Sequence, residues 1–506
     1  DLGYGDTCFN GHPTAESPNI DALAHGGKRL TQWYSGCPVC TGSRAALMTG
    51  RQYQRTGVPG VFGNAVSTGL PLNETTMAEQ LKKAGYKTGI VGKWHLGQRH
   101  VYLPGNRGFD KYLGIPFSDD MGQGRASACP GGKSDTIECE ASLSDDGWTR
   151  DAYGELGYLL PEDSRESGDP GAAWTPLVRQ EHGNTTVVEQ PVDFTHLAEK
   201  YNKFATDFIM EHGREPFFLY VPFSHVHTTA ANMPEKQYAG CRFKNTTRRG
   251  PFGDALAEVD WIVGNIRQTV QEQGIEENTL FFFTSDNGPW MIQDLSGGSS
   301  GLLTGRYSGY WNTGKGSTWE GGIREPAFAY WKGQITPATR SAEIVSSMDV
   351  FPTISKLAGV PLPTGRVYDG RDMSEVLFND EGASPHEFLF FYGGCARQGT
   401  PGAARWGKWK AHWCTGPGLG GCANCSTIRY EQPLLFDVEK DPSEAQPVEA
   451  EDVVYAFQAA YAKEVASMTT QSLIAEPDQQ GEGPGHYAVC CDLTKSCKCD
   501  STELVV

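Results

Sequence analysis

Basic residues are short in this 506-residue chain: 43 lysines and arginines stand against 61 aspartates and glutamates, a formal net charge of −18. That balance excludes a general binder of nucleic acid or of anionic membrane, because neutralising phosphates needs a basic surface. An anionic substrate would have to be met by a few locally placed cations. No apolar run approaches the roughly twenty residues that span a bilayer. Internal repeats are also missing, and the 62 glycines and 30 prolines are scattered, which rules out a fibrous chain. With aromatic residues at 11%, disorder is excluded as well. The chain lacks an initiating methionine and a signal peptide, so an upstream segment is expected to have been removed or not seen.

Cysteine is plentiful. There are 14, with Cys490, Cys491, Cys497 and Cys499 packed together, which points to an oxidising compartment. Zinc is the rival reading, but adjacent cysteines followed by C-x-C are not a C-x-x-C knuckle. Sequons at Asn73, Asn184, Asn245 and Asn424 agree with a secreted or lysosomal glycoprotein. The length allows a large core and more than one domain.

The stretch Cys37 to Arg51 organises the rest. Arg44 to Met48 are good helix formers, and Thr41 and Ser43 are capping types, so a helix is expected to begin just after Cys40. Cys40 then sits at a helix N-terminus, where free N–H groups favour an anion, and Arg44 adds charge over the same face. An isolated C-x-x-x-R is ordinarily structural; C-T-G-S-R-A-A-L-M-T-G-R is longer.

Other polar groups fall at predicted strand ends, where α/β enzymes place their sites. Lys87 to Val91 reads as a strand before Lys93 and His95, which alternate on one side of the chain. Phe217 to Phe223 reads as a buried strand delivering His225 and His227, and Leu280 to Phe283 as another delivering Asp286 and Asn287. A carboxylate beside an amide offers the oxygens that calcium takes. Helices are expected over Thr76 to Ala84, Val192 to His212 and Ala255 to Val270. Ser118 to Trp174 reads as a long surface excursion, with Cys129 and Cys139 as a local staple. From about Leu362 the apolar segments shorten, giving domains 1–361 and 362–506.

These motifs, in this order, resemble the sulfatases, closest to arylsulfatase A-like enzymes, over nearly the whole chain. Gly42 departs from the pattern, since the family usually has Pro or Ala there. The resemblance implies an α/β, alkaline-phosphatase-like fold. Its large central, mostly parallel sheet would be flanked by helices, with a smaller C-terminal α+β domain carrying an antiparallel sheet. It implies a formylglycine made from Cys40 by a formylglycine-generating enzyme, and one Ca2+ held by Asp1, Cys40, Asp286, Asn287 and an aspartate upstream of Asp1. Asp286 would act as base. Arg44, Lys93 and Lys315 would cage the sulfate, with Ser118 and His225 at the substrate. Lys315 and His227 would protonate the leaving oxygen, with His227 preferred to His225, and His95 would take the proton that releases sulfate. Asp119 stands where the arylsulfatase A group has histidine.

The tail match implies Cys490 to Cys497 and Cys491 to Cys499 disulfides; Cys8 is expected free. Substrates would be sulfated small molecules, glycolipids or glycans, with a homo-oligomer left open. The alternatives are a related phosphate or phosphonate ester hydrolase, or a non-catalytic, sulfatase-fold secreted glycoprotein with a carbohydrate-binding or matrix role.

Overall fold

Short apolar strands alternate with amphipathic helices in this computed structural model, which describes residues 1–64, 66–129, 174–230, 233, 235–421 and 425–468. The first strands are β1 (Lys28–Leu30), β2 (Trp33–Tyr34), β3 (Lys87–Val91), β4 (Lys111–Gly114), β5 (Leu177–Glu181) and β6 (Asn184–Glu189). Then come β7 (Phe217–Tyr220), β8 (Phe281–Thr284), β9 (Ala327–Tyr330), β10 (Thr339–Ser341) and β11 (Val345–Ser346). The C-terminal part adds β12 (Leu389–Phe391), β13 (Ala403–Trp406), β14 (Trp409–Thr415) and β15 (Ile428–Asp437).

Two sheets run β10-β1-β9-β8 and β6-β5-β4-β3-β7, beside a β11-β2 pair, and the C-terminal sheet is β12-β13-β14-β15. Parallel pairing centres on β3, which runs parallel to both β4 and β7. β1 with β10 and β2 with β11 are also parallel, and the remaining pairs are antiparallel. His182 and Gly183, both at positive φ, make the two-residue turn whose twist suits the β5–β6 hairpin. The α/β class therefore holds with the sheets mixed, and the C-terminal sheet is antiparallel throughout.

The helical periodicities become core contacts. Asp193 caps the turn that leads into the helix Leu197–His212, whose Leu197, Tyr201 and Ala205 are buried. Pro251 at the first turn starts the helix Pro251–Glu272, four residues before the expected Ala255. Its Leu256, Val259 and Val263 face Ile20 and Leu23 of the helix Pro18–Gly26. Each such burial contributes roughly 1.5–3 kcal/mol. Thr76 and Glu79 form a reciprocal capping box on the helix Met77–Lys83.

β7 and β8 are half-buried rather than fully buried, because both border a cavity of about 750 Å³. Asp1, Lys93, His227 and Asp286 are among the residues lining it.

Cys129 pairs with Cys241, which corrects the expected Cys129 to Cys139 staple. The cause is tertiary: Ser127 N donates to Thr195 Oγ1, and Gly240 lies against the Thr195 carbonyl, so residues far apart in sequence bring the cysteines together. Cys139 lies outside the described residues, as do Cys490, Cys491, Cys497, Cys499 and Asn424. Cys395 bonds Cys414, a pair the sequence did not single out. Cys8 is free and exposed, and Asn73, Asn184 and Asn245 are exposed.

Candidate active site

The helix Cys40–Thr49 begins at Cys40 itself, with extended Val39 as its N-cap and no side-chain cap. Thr41, expected to cap, instead accepts from Phe62 N through Oγ1 at 3.1 Å. Gly42 has a specific cause. A Cβ there would lie 2.5 Å from Cys37 Sγ, so the glycine accommodates a buried cysteine. Burial raises the Cys37 thiol to about 12, leaving it inert beside Cys40. Burial also pushes the Cys40 thiol up, but Lys315 and Lys93 outweigh it and hold Cys40 well below its ordinary value.

The cations come from separate elements. Arg44 grips Asp286 Oδ2 through Nε and Nη2, at 3.1 and 2.8 Å, and donates from Nη1 to Lys93 O at 2.7 Å. Lys93 follows β3 and donates from Nζ to Ser118 Oγ at 2.9 Å. It is 1% exposed, and among the described residues its ammonium makes no ion pair with a carboxylate. Lys315 Nζ lies 2.9 Å from Asp1 Oδ1 and donates to His227 Nε2 at 2.9 Å.

Hydrogen bonds fix the histidine tautomers. His227 Nδ1 donates to Thr228 O at 2.8 Å, leaving Nε2 of the neutral ring to accept from Lys315. His95 Nε2 donates to Phe62 O at 2.8 Å, which leaves Nδ1 as a buried acceptor without a partner among the described residues. Burial lowers the His95 pKa, while Cys40 beside it favours the charged ring. His225 is spent elsewhere: Nε2 lies 2.9 Å from Glu258 Oε2, and its ring packs on Tyr238.

Burial raises Asp119 to about 6 despite Lys93, His227 and His225 nearby, and neither of its carboxylate oxygens has a partner among the described residues. Asp120, which the sequence reading passed over, lies 4.0 Å from His227 Nδ1. Burial opposes its charge, but His227, Lys315 and Lys93 bring its pKa down. Its sequence signal was its place beside Asp119, two residues after Ser118.

The expected metal donors converge at the ends of β8 and the first loop. Asn287 Nδ2 donates to Asp1 Oδ1 at 2.8 Å, while Asn287 Oδ1 is buried with no partner among the described residues. Together with the Asp1 and Asp286 carboxylates it forms an oxygen set of the kind calcium takes. Asp1, Cys40 and His227 also bring ligand atoms within 4.8 Å of one another.

A nucleophile position at a helix N-terminus, ringed by buried cations with a hard-oxygen cluster beside it, defines a hydrolase site for an esterified anion. Comparisons with known proteins give the family. The sulfatase family model matches residues 1–360, and that of the C-terminal region of aryl-sulfatase matches 384–499. Human arylsulfatase A is 39% identical over 460 residues, covering 88% of this chain and 80% of that protein. Human arylsulfatase G is 38% identical, covering 89% and 81%. The crystal structure of the PsFucS1 sulfatase from Pseudoalteromonas sp. has a TM-score of 0.72 at 28% identity, over 93% of this chain and 89% of that one. The chain belongs to the sulfatase family and is a sulfuric ester hydrolase of the arylsulfatase type. No helix among the described residues is long and apolar enough to cross a membrane.

Proposed function

We propose that this chain cleaves aryl or carbohydrate sulfate esters with Cys40 oxidised to formylglycine and Ca2+ held by Asp1, Asp286 and Asn287. The Cys40 thiol stands where the modified side chain would be. Formylglycine would supply a hydrated-aldehyde nucleophile, and calcium would neutralise sulfuryl oxygens. The rest falls to the chain's own residues.

The observation that carries the reading is Lys93, a buried ammonium whose described side-chain partner is a serine hydroxyl. A buried charge without a direct ion pair is costly, and a sulfate against Lys93 and Ser118 would offset that cost. Arg44, by gripping Asp286 and the Lys93 carbonyl, orients both. Lys315 Nζ and His227 Nε2 are hydrogen-bonded, so one shared proton, carried by either nitrogen, goes to the departing oxygen and leaves the pair one proton short. His95 Nδ1 is the free acceptor that receives a proton beside residue 40. Asp119, where the arylsulfatase A group has histidine, shapes the rim together with Asp120.

Exposed sequons and disulfides support a secretory-pathway setting, and the two domains divide near residue 361. The test is paired turnover on an aryl sulfate and the matching aryl phosphate. Preference for the sulfate is expected; faster phosphate hydrolysis would remove the sulfate reading of Lys93.

A further inference from the structure

Trp290 follows Asp286-Asn287-Gly288-Pro289, and that turn fixes it beside the site. Pro289 O accepts the backbone N–H of Lys315 at 2.9 Å, tying the residue before Trp290 to the lysine segment. The indole Nε1 donates to Leu419 O at 3.2 Å. Lys315 Nζ stands 4.8 Å from the centre of the indole ring, and the His227 ring centre is 5.9 Å away with the planes at 54°. The indole therefore borders both groups assigned to the leaving oxygen.

The C-terminal part extends this wall. Leu419, in the loop between β14 and β15, donates from N to Lys315 O at 2.6 Å, yet its side chain is 39% exposed. The same Leu419 carbonyl accepts from Asn312 Nδ2 at 3.3 Å, which fixes this loop against the lysine segment. An apolar wall thus lies next to a buried cation cluster, on a chain rich in negative charge.

We infer that Trp290, with Leu419, forms the subsite for the alcohol half of the substrate and takes a ring with a flat apolar face rather than an open alkyl chain. The inference rests on reading Lys315 and His227 as the leaving-group donors. An oxygen within hydrogen-bond reach of both places its attached carbon against the indole. Aryl rings and the C–H face of a sugar ring share the chemistry that stacks there.

Trp290→Ala and Trp290→Phe test it on the full chain, using an aryl sulfate, a monosaccharide sulfate, a short alkyl sulfate, and inorganic sulfate as inhibitor. Trp290→Ala is expected to raise KM about threefold to tenfold for ring-bearing esters. KM for the alkyl ester and the inhibition constant of sulfate, which has no alcohol half, should hold, and Trp290→Phe should restore most of the loss. A loss confined to the aryl or to the sugar ester supports the subsite and identifies its ring. Equal losses on ring and alkyl esters, or weaker sulfate inhibition, would overturn it, because Trp290 would then only hold Lys315 and His227 in place. Wild-type protein that turns over no sulfate ester would instead remove the leaving-group reading beneath it.

Discussion

Lys315 and Glu320 share one short segment, yet the first belongs to the candidate active site and the second to a charge cluster sealed under the C-terminal sheet. In the sealed cluster Lys410 Nζ lies 3.0 Å from Glu320 Oε1 and 3.0 Å from Glu444 Oε1. His412 Nε2 lies 2.7 Å from Glu444 Oε1, and Arg324 reaches Glu320 at 3.1 Å. Glu444 Oε2 also accepts from the backbone N of Glu320 at 2.7 Å. Charges are matched, and Lys410, His412, Glu320 and Glu444 are 0% exposed. The active site is as deeply buried, but its Lys93 ammonium meets no carboxylate among the described residues. Asp119, Asp120 and Asp286 feel the Lys93 charge without pairing with it directly. Burial of charge alone therefore does not mark function; a buried ammonium left without a direct ion pair does.

If the sealed cluster is structural, Lys410→Met should cost about 3–5 kcal/mol by stranding the two carboxylates, while turnover per folded molecule is unchanged. Denaturant melts beside active-site-normalised rates check this. Lost turnover without lost stability would break the comparison. The reciprocal change, Lys93→Met, should lower kcat by about a hundredfold to a thousandfold and cost less stability than Lys410→Met, because it breaks no direct ion pair. A Lys93→Met protein destabilised as much as Lys410→Met would mean the lysine is already paired.

A smaller effect separates the two halves of the active site. Lys315→Ala and His227→Ala should slow a sugar sulfate about tenfold more than a nitrophenyl sulfate, since nitrophenolate leaves with little protonation. Equal losses on both substrates would take these residues off the leaving oxygen.

The smallest effect is on pH. Burial opposes charge on both Glu444 and His412, but Lys410 and His412 bring Glu444 down, whereas burial prevails at His412 and lowers it. The folded state thus binds fewer protons than the unfolded one at both groups. The stability they contribute is full above about pH 6.5, shrinks as His412 titrates in the unfolded chain, and shrinks further below about pH 4.5. Melting temperatures of His412→Gln should vary less between about pH 5 and 7 than those of wild type. Identical slopes would show that His412 does not titrate on unfolding.

Local chemistry was legible in the sequence. Lys93, His227, Asp286 and Asn287 follow short strands, and the order strand, turn, polar pair is written in neighbouring residues. What depends on distant packing was not. Cys129 meets Cys241 across a separation of 112 residues, and Gly42 makes sense only once Cys37 Sγ is seen against it. A mostly parallel sheet was expected from the family resemblance; apolar runs do not state strand direction, and hairpins such as β5–β6 made the sheets mixed. Trp290 gave no signal either, because a tryptophan after a turn reads as surface until Lys315 and His227 are placed on it.

The mass of the tryptic peptide spanning residues 30–44, from protein made in its native host, tests the central claim most directly. An aldehyde at position 40, lighter than cysteine, is the predicted result, rising in proportion to sulfatase activity across preparations. Full activity in protein whose residue 40 is entirely unmodified cysteine would contradict it.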